Sequence, residues 1–260
     1  MQVTDLRIQL DPLNPGQFYA CCGLLELSGL EHGAVISHFE QEPGRPRVAW
    51  LCLHEVSEQF LGESLERLRR AAATIACEQD HEAGTSPVTV TFGGHSLELD
   101  WWLDEFREKT TPLKCWAGQV TTRKLFEELL ALVESGVSGA DLFQRSRLTK
   151  SKFGVDPRAA WNARDCGYSP NEHGKDSATF VAVEALAAIG LQTFRPAGRR
   201  RAARYHLWTA ELPLCVARNA VNAPWDGLSH LAFQFAIGSR GQSYKFLKFA
   251  EPANQKGVND

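Results

Sequence analysis

The sequence lacks any long apolar run. None of its 260 residues belongs to a stretch of roughly 18 consecutive apolar residues, which a membrane-spanning helix would need. Residues 1–7 also lack the basic stretch and apolar core of a secretory signal. We therefore expect a cytoplasmic protein with no membrane partner. Its 7 cysteines are odd in number and are expected to be reduced thiols rather than a disulfide framework.

Motifs for metals and nucleotides are missing as well. Structural zinc sites use Cys and His pairs two to four residues apart, whereas here Cys21 and Cys22 are adjacent and the other cysteines are scattered. The sequence contains no HExxH, no His-Asp dinucleotide and no GxxxxGK[ST] phosphate loop. The spacing predicts no metal and no cofactor, and we expect no enzyme. A hydrolase using Asp165 and His173 is the least supported alternative.

The hydrophobic pattern predicts both helices and strands. Apolar residues at helical spacing indicate helices over 18–27, with Pro15 near the helix start, and over 55–78, 121–135, 140–147 and 179–189. The first is apolar on all sides, so we expect it to be buried. The last is expected to end at Gly190 in a left-handed cap. Alternating or short apolar runs predict strands over 3–10, 34–39, 47–53, 88–92, 96–102, 205–212 and 243–249.

These strands occur in pairs and hairpins, of which the Gly93-Gly94 turn is the clearest. This grouping favours an α+β fold, with antiparallel sheet elements and packed helices, over an alternating parallel sheet. We expect a single compact unit or two subdomains. The proposed division is an acidic α+β half over 1–110, a basic helical and strand half over 111–250, and a flexible tail over 251–260.

The net charge of −3 conceals an uneven distribution. Residues 1–110 contain 8 lysines and arginines against 18 acidic residues, and residues 191–260 contain 10 against 4. A basic region of this kind points to nucleic acid, since arginine suits bidentate contact with phosphate. The alternative is an ordinary solvated loop. The nucleic-acid-binding candidates are Lys150, Lys152, Arg158, Arg164, Arg195, Arg199, Arg200, Arg201, Arg204, Arg240 and Lys245.

Aromatic residues lie among these cations. Trp161 and Tyr168 are in an irregular region beside Arg158 and Arg164, and they are the candidates for stacking on bases. The alternative is that tryptophans lie in the core, which we expect for Trp208.

The segment 238–245 is both Gly-rich and basic. Its backbone could approach a phosphate, with Arg240 and Lys245 pairing to it. Its spacing matches no nucleotide-binding fingerprint, however, and a plain turn between two strands is the favoured interpretation.

Four segments carry a resemblance to a known family. They are 11–27 (DPLNPGQFYACCGLLEL), 160–171 (AWNARDCGYSPN), 183–196 (VEALAAIGLQTFRP) and 239–245 (SRGQSYK). Together they resemble small CRISPR-associated proteins of type I-U systems, also called I-G. Two features depart from that pattern: Arg164 replaces an aliphatic residue, and the 199–201 arginine run lies in a variable stretch.

The resemblance implies a role in RNA-guided antiviral defence. The expected function is a non-catalytic effector-complex component that binds crRNA or the target DNA backbone together with neighbouring subunits. The alternative is a protein–protein adaptor that links the surveillance complex to the helicase-nuclease without touching nucleic acid.

Overall fold

The computed structural model of the chain describes residues 5–72, 75–77, 86–116, 120–160, 176–199, 201–222, 227–240 and 244–253. Among these residues the helices are α1 (Pro15–His32), α2 (Glu58–Ala71), α3 (Thr122–Ala131), α4 (Val181–Thr193) and α5 (Leu214–Ala220), with a 3-10 turn at Pro157–Ala159. The first eight strands are β1 (Leu6–Leu10), β2 (Ile36–Gln41), β3 (Ala49–Leu53), β4 (Ala76–Cys77), β5 (Val88–Phe92), β6 (His95–Leu99), β7 (Arg147–Thr149) and β8 (Ser177–Thr179). The remaining strands are β9 (Ala197–Arg199), β10 (Ala202–Trp208), β11 (Leu212–Pro213), β12 (His230–Phe235), β13 (Ile237–Arg240), β14 (Tyr244–Leu247) and β15 (Glu251–Pro252).

The described strands pair in antiparallel fashion throughout. One four-stranded sheet has the order β1-β3-β2-β11, and a second has the order β15-β12-β10-β9. A three-stranded sheet, β4-β5-β6, and two ribbons, β7-β8 and β13-β14, complete the pattern. The α+β prediction with antiparallel sheets and packed helices is therefore confirmed.

Helix α1 is the buried centre of the fold. Asn14 caps it by accepting the N–H of Gln17 at 3.2 Å, and Pro15 occupies the first turn, where no N–H is needed. The helix packs against α4 with the backbones nearly touching at Gly23 and Gly190. A Cβ on Gly190 would lie 2.1 Å from the carbonyl oxygen of Tyr19. Gly190 is therefore a contact residue within α4, and the prediction that it forms a cap is wrong.

Three tryptophans in the middle of the chain are internal. The rings of Trp101, Trp102 and Trp116 meet edge to face with centroids 5.4–5.8 Å apart, and none is more than 4% exposed. These tryptophans therefore belong to the core rather than to a base-stacking surface. Trp208 is likewise fully buried, as predicted, and donates from Nε1 to the carbonyl of Ser37 at 3.0 Å.

Three sequence predictions of secondary structure are wrong. The 55–78 helix ends at Ala71, and 76–77 form β4 instead. The predicted 140–147 helix is wrong: these residues form turns up to Gln144, and β7 begins at Arg147. The Ser138 hydroxyl donates to the Asp141 carboxylate and accepts the Asp141 N–H at the start of the turns. The start of the expected tail, Glu251–Pro252, pairs with β12 as β15.

Buried apolar residues from 1–110 and from 111–250 belong to one contiguous core. The predicted division into an acidic half over 1–110 and a basic half over 111–250 describes the charge distribution, and it stays a prediction. Within the described residues, no helix combines the length and apolar character needed to cross a membrane.

Candidate nucleic-acid interface

Two basic hairpins leave the same end of one sheet. Strands β10 and β12 are antiparallel, and Ala203 lies opposite Phe235. The β9–β10 turn, which includes Arg201, therefore lies at the end of the sheet from which the β13–β14 ribbon follows β12. We call this region, formed by the β9–β10 turn, the β13–β14 ribbon and the segment 112–116 beside it, the basic end.

A lysine pair lies beside the ribbon, where Lys245 is opposite Ser239. The N–H of Lys245 donates to the carbonyl of Cys115 at 3.2 Å, which brings Lys245 beside Lys114. The ammonium group of Lys114 lies 5.4 Å from the Trp116 ring centroid. Burial lowers the pKa of Lys114, and the charge of Lys245 lowers it further. Among the described residues, neither ammonium group forms an ion pair with a carboxylate.

Gly154 permits this close arrangement. Its φ of +82° is unfavourable for other residues, and a Cβ there would lie 3.1 Å from the Cβ of Cys115 and 3.2 Å from the Lys245 carbonyl. Its own carbonyl accepts the N–H of Leu247 at 3.0 Å. The segment 152–156, the ribbon and the segment around Cys115 are thus in direct contact.

Exposed cations of the second sheet add to the basic end. Arg204 is exposed and donates from Nε to Oε1 of Gln234 at 3.2 Å, and it forms no ion pair with a carboxylate of the described residues. Arg201, in the β9–β10 turn, is also exposed.

Lys150, another predicted candidate, is exposed at the end of the separate ribbon β7–β8. Arg195 differs, because it is half-buried and lies 3.3 Å from the carboxylate of Asp100.

Two other predicted candidates have internal partners. Lys152 is 6% exposed, and its ammonium group donates to the carbonyl of Ala159 at 2.5 Å and to the hydroxyl of Ser177 at 3.1 Å. It therefore joins the two ends of the segment 160–176. Arg158 pairs with Asp156 at 2.6 Å, and its guanidinium carbon lies 3.5 Å from the Phe180 ring centroid. These contacts give both residues a positioning role beneath the surface.

Buried carboxylates lie under the basic end. Glu184 is fully buried, and its two oxygens accept the N–H groups of Gly154 and Asp156 at 2.9 and 3.1 Å. Burial raises the pKa of Glu184 to about 7. Asp156 is 1% exposed and accepts a hydrogen bond from Nδ2 of Asn14 at 3.0 Å. These acids hold backbone N–H groups, a core amide and the guanidinium group of Arg158, and among the described residues neither forms an ion pair with Lys114 or Lys245.

Several candidates fall outside the description. Arg164, Arg200, Trp161 and Tyr168 lie outside the described residues, as do Asp165 and His173 of the hydrolase alternative. Arg199 and Arg240 are placed in strands by their backbone alone.

Sequence reasoning missed Lys114. It lies in a segment with little charge, about 130 residues from Lys245, and only the hydrogen bond at Cys115 joins the two. An isolated lysine beside an aromatic residue gives no usable pattern. Among the described residues, the side chains that could hold a metal ion lie elsewhere, at the first sheet, in two groups that share His38: His38, His54 and Glu211, and His38, Glu40 and Cys52.

Comparison with protein-family models, with curated proteins and with solved structures finds no match for this chain.

Proposed function

We propose that this chain is a non-catalytic component of a type I-U (I-G) CRISPR defence system that binds crRNA or target DNA by its backbone at the basic end. The family assignment rests on the resemblance of the four sequence segments, and the cytoplasmic location expected from the sequence agrees with it. Guide pairing would supply sequence specificity, and this chain would supply charge and position.

One observation carries the nucleic-acid part of the proposal. Lys114 and Lys245 lie together without a carboxylate partner among the described residues, and the β9–β10 turn with its arginines leaves the same end of the sheet. Unbalanced cations grouped at one end of a protein attract a polyanion, and binding releases the counterions of the phosphates. The resemblance to the CRISPR-associated family points to the backbone of a nucleic acid as this polyanion.

The proposal is tested by titrating tag-free protein with labelled crRNA, single-stranded DNA and duplex DNA over a range of salt concentrations. We expect binding to at least one of them, with a steep salt dependence. Replacing Arg199, Arg200 and Arg201 by alanine should reduce the slope of log K against log salt by about 2 to 3, from about 0.7 to 0.9 for each phosphate contact. Unchanged affinity and slope in this variant would remove the arginine run from the interface.

A second candidate function is the protein–protein adaptor. The exposed apolar side chains that could contact such a partner include Phe106, at 74% exposure, and Leu148, at 67%. An adaptor would bind none of the three nucleic acids but would copurify with a coexpressed effector subunit or the helicase-nuclease. Phe106→Ser should then abolish copurification, whereas it should leave nucleic-acid affinity unchanged if the first proposal holds.

A further inference from the structure

Two histidines of the first sheet face each other with their ring nitrogens close together. His38 lies on β2, and His54 follows β3, the strand that pairs with β2. Nδ1 of His38 and Nε2 of His54 are 3.1 Å apart, and the rings are stacked with centroids at 5.1 Å. The backbone fixes this approach, since the N–H of His54 donates to the carbonyl of Ile36 at 3.0 Å.

Carboxylates determine which nitrogen of each ring carries a proton. Nδ1 of His54 lies 3.1 Å from Oδ2 of Asp5, and Nε2 of His38 lies 3.3 Å from Oε1 of Glu40. An ionised carboxylate only accepts hydrogen bonds, so each of these outer nitrogens is the donor. In the neutral rings, both inner nitrogens therefore present lone pairs to each other. Two facing lone pairs repel each other, so this arrangement requires a cation between the two inner nitrogens.

A third ligand atom lies beside the inner nitrogens. Oε1 of Glu211 is 3.7 Å from Nε2 of His54, and the pairing of β11 with β2 brings Glu211 to this edge of the sheet. Two histidine nitrogens and one carboxylate oxygen form a common three-ligand set for zinc. With metal–ligand distances of about 2.0 to 2.1 Å, tetrahedral ligands lie about 3.3 to 3.4 Å apart. The observed 3.1 and 3.7 Å bracket that value.

The surroundings have the features of an outer shell. Metal-binding histidines usually donate their second nitrogen to a carboxylate, which fixes the ring. Asp5 does this for His54, and its other oxygen accepts the N–H of Glu55 at 3.2 Å. Glu55 has a φ of +59°, an unusual value for a non-glycine residue, so the turn beside His54 is held in a strained form.

From this geometry we infer that Nδ1 of His38, Nε2 of His54 and Oε1 of Glu211 bind a zinc-type divalent cation, oriented by Asp5 and Glu40. The sequence alone predicts no metal site because the ligands come from three separate segments, at 38, 54 and 211. The side chain of Glu211 is 66% exposed, which leaves one side of the site open to solvent for a fourth ligand such as water.

Charge is consistent with a divalent ion. Arg7 pairs with Glu40, so the carboxylates of Asp5, Glu40 and Glu211 together with Arg7 carry a formal charge of −2. Bound metal would neutralise that charge and would replace the proton otherwise needed between the two rings.

The test is a calorimetric titration of tag-free, chelator-treated protein with Zn²⁺ at neutral pH, followed by Co²⁺ as a spectroscopic probe. We expect one Zn²⁺ per chain and a visible Co²⁺ band of tetrahedral type. His38→Ala and His54→Ala should each abolish binding. Glu211→Gln changes an exposed side chain and should weaken binding without affecting the fold. Asp5→Asn should reduce affinity by about 10- to 100-fold, as loss of an outer-shell partner does.

His230→Ala provides the matched control. His230 contacts His206 with the same 5.1 Å centroid separation, but on the second sheet and with its Nδ1 bound to a backbone carbonyl. This variant should bind Zn²⁺ as the wild type does. Absence of binding to the wild type would overturn the inference. Retention of full affinity in both His38→Ala and Glu211→Gln would also overturn it, because the ion would then bind elsewhere.

Discussion

The arginines of residues 1–110 and the cations of the basic end have opposite surroundings. Each arginine of the first region has a carboxylate partner, and the partners include Glu40 for Arg7, Asp11 for Arg47 and Glu66 for both Arg69 and Arg70. At the basic end, Lys114 and Lys245 lie together without one among the described residues.

This contrast depends on where the acids lie. In the first region the carboxylates are at the surface beside the arginines. Under the basic end, Asp156 and Glu184 are buried and bind backbone N–H groups of the segment 154–158. A high number of basic residues is therefore not enough to form a polyanion-binding surface. The cations must also be left without local acids.

The largest expected effect is on nucleic-acid affinity. A variant with Lys114, Lys245 and Arg199–Arg201 all replaced by alanine loses five proposed phosphate contacts. At about 0.1 M salt this should weaken binding to single-stranded nucleic acid by about three orders of magnitude, since each contact contributes about 0.7 to the salt slope. Fluorescence anisotropy with labelled crRNA measures the change. A loss of less than tenfold would mean that the nucleic acid binds elsewhere.

The next effect sharpens the distinction between surface and buried cations. Lys152→Met keeps the length of the side chain but removes the two hydrogen bonds to Ala159 and Ser177. We expect a loss of about 2 to 4 kcal/mol in unfolding free energy, because a buried carbonyl loses its charged donor. Urea unfolding measures it. Wild-type stability together with a reduced salt slope would place Lys152 among the surface cations instead.

A pH dependence follows from Glu184. Burial raises its pKa from 4.5 to about 7, so between these values the folded chain holds a proton that the unfolded chain has lost. The stabilisation associated with this proton is fully present below about pH 4.5 and is lost as the pH rises through about 7. Glu184→Gln should flatten the curve of unfolding free energy between pH 5 and 7. An equally steep curve in the variant would assign the dependence to another group.

The smallest effect is expected in the first region. Arg69→Ala with Arg70→Ala removes two exposed arginines paired with Glu66. Surface pairs of this kind contribute little, so the loss of unfolding free energy should stay below about 1 kcal/mol. Nucleic-acid affinity should not change, because these charges are already balanced. A loss of nucleic-acid affinity as large as that of the five-residue variant would contradict the distinction between the two regions.

The elements that were predictable have local signals. The apolar pattern of α1 and the Gly93-Gly94 turn act within a few residues, and the structure has the corresponding elements. The strand β12 and the helix α5 were not predicted. Gly190 was misinterpreted because its role is a contact between helices far apart in sequence. The predicted helix over 140–147 was also wrong, since the chain forms turns up to Gln144 and β7 begins at Arg147.

Less of the candidate interface could be predicted. Arginine clustering identified the basic region, but burial of Lys152 and the pairing of Arg158 depend on tertiary contacts. Lys114 had no sequence signal, since Lys245 is placed beside it by a hydrogen bond from the Lys245 N–H to the carbonyl of Cys115, about 130 residues away in the chain. The histidine pair on the first sheet was not predicted for the same reason, since only tertiary contacts bring its two residues together.

The most direct test of the central claim compares the salt dependence of crRNA and DNA binding in two double variants of equal charge change. Lys114→Ala with Lys245→Ala removes the unbalanced pair, and Arg69→Ala with Arg70→Ala removes a balanced one. The account predicts that the first lowers the slope of log K against log salt by about 1.5 and that the second leaves it unchanged. Equal slopes in wild type and both variants, or an absence of binding by the wild type, would contradict it.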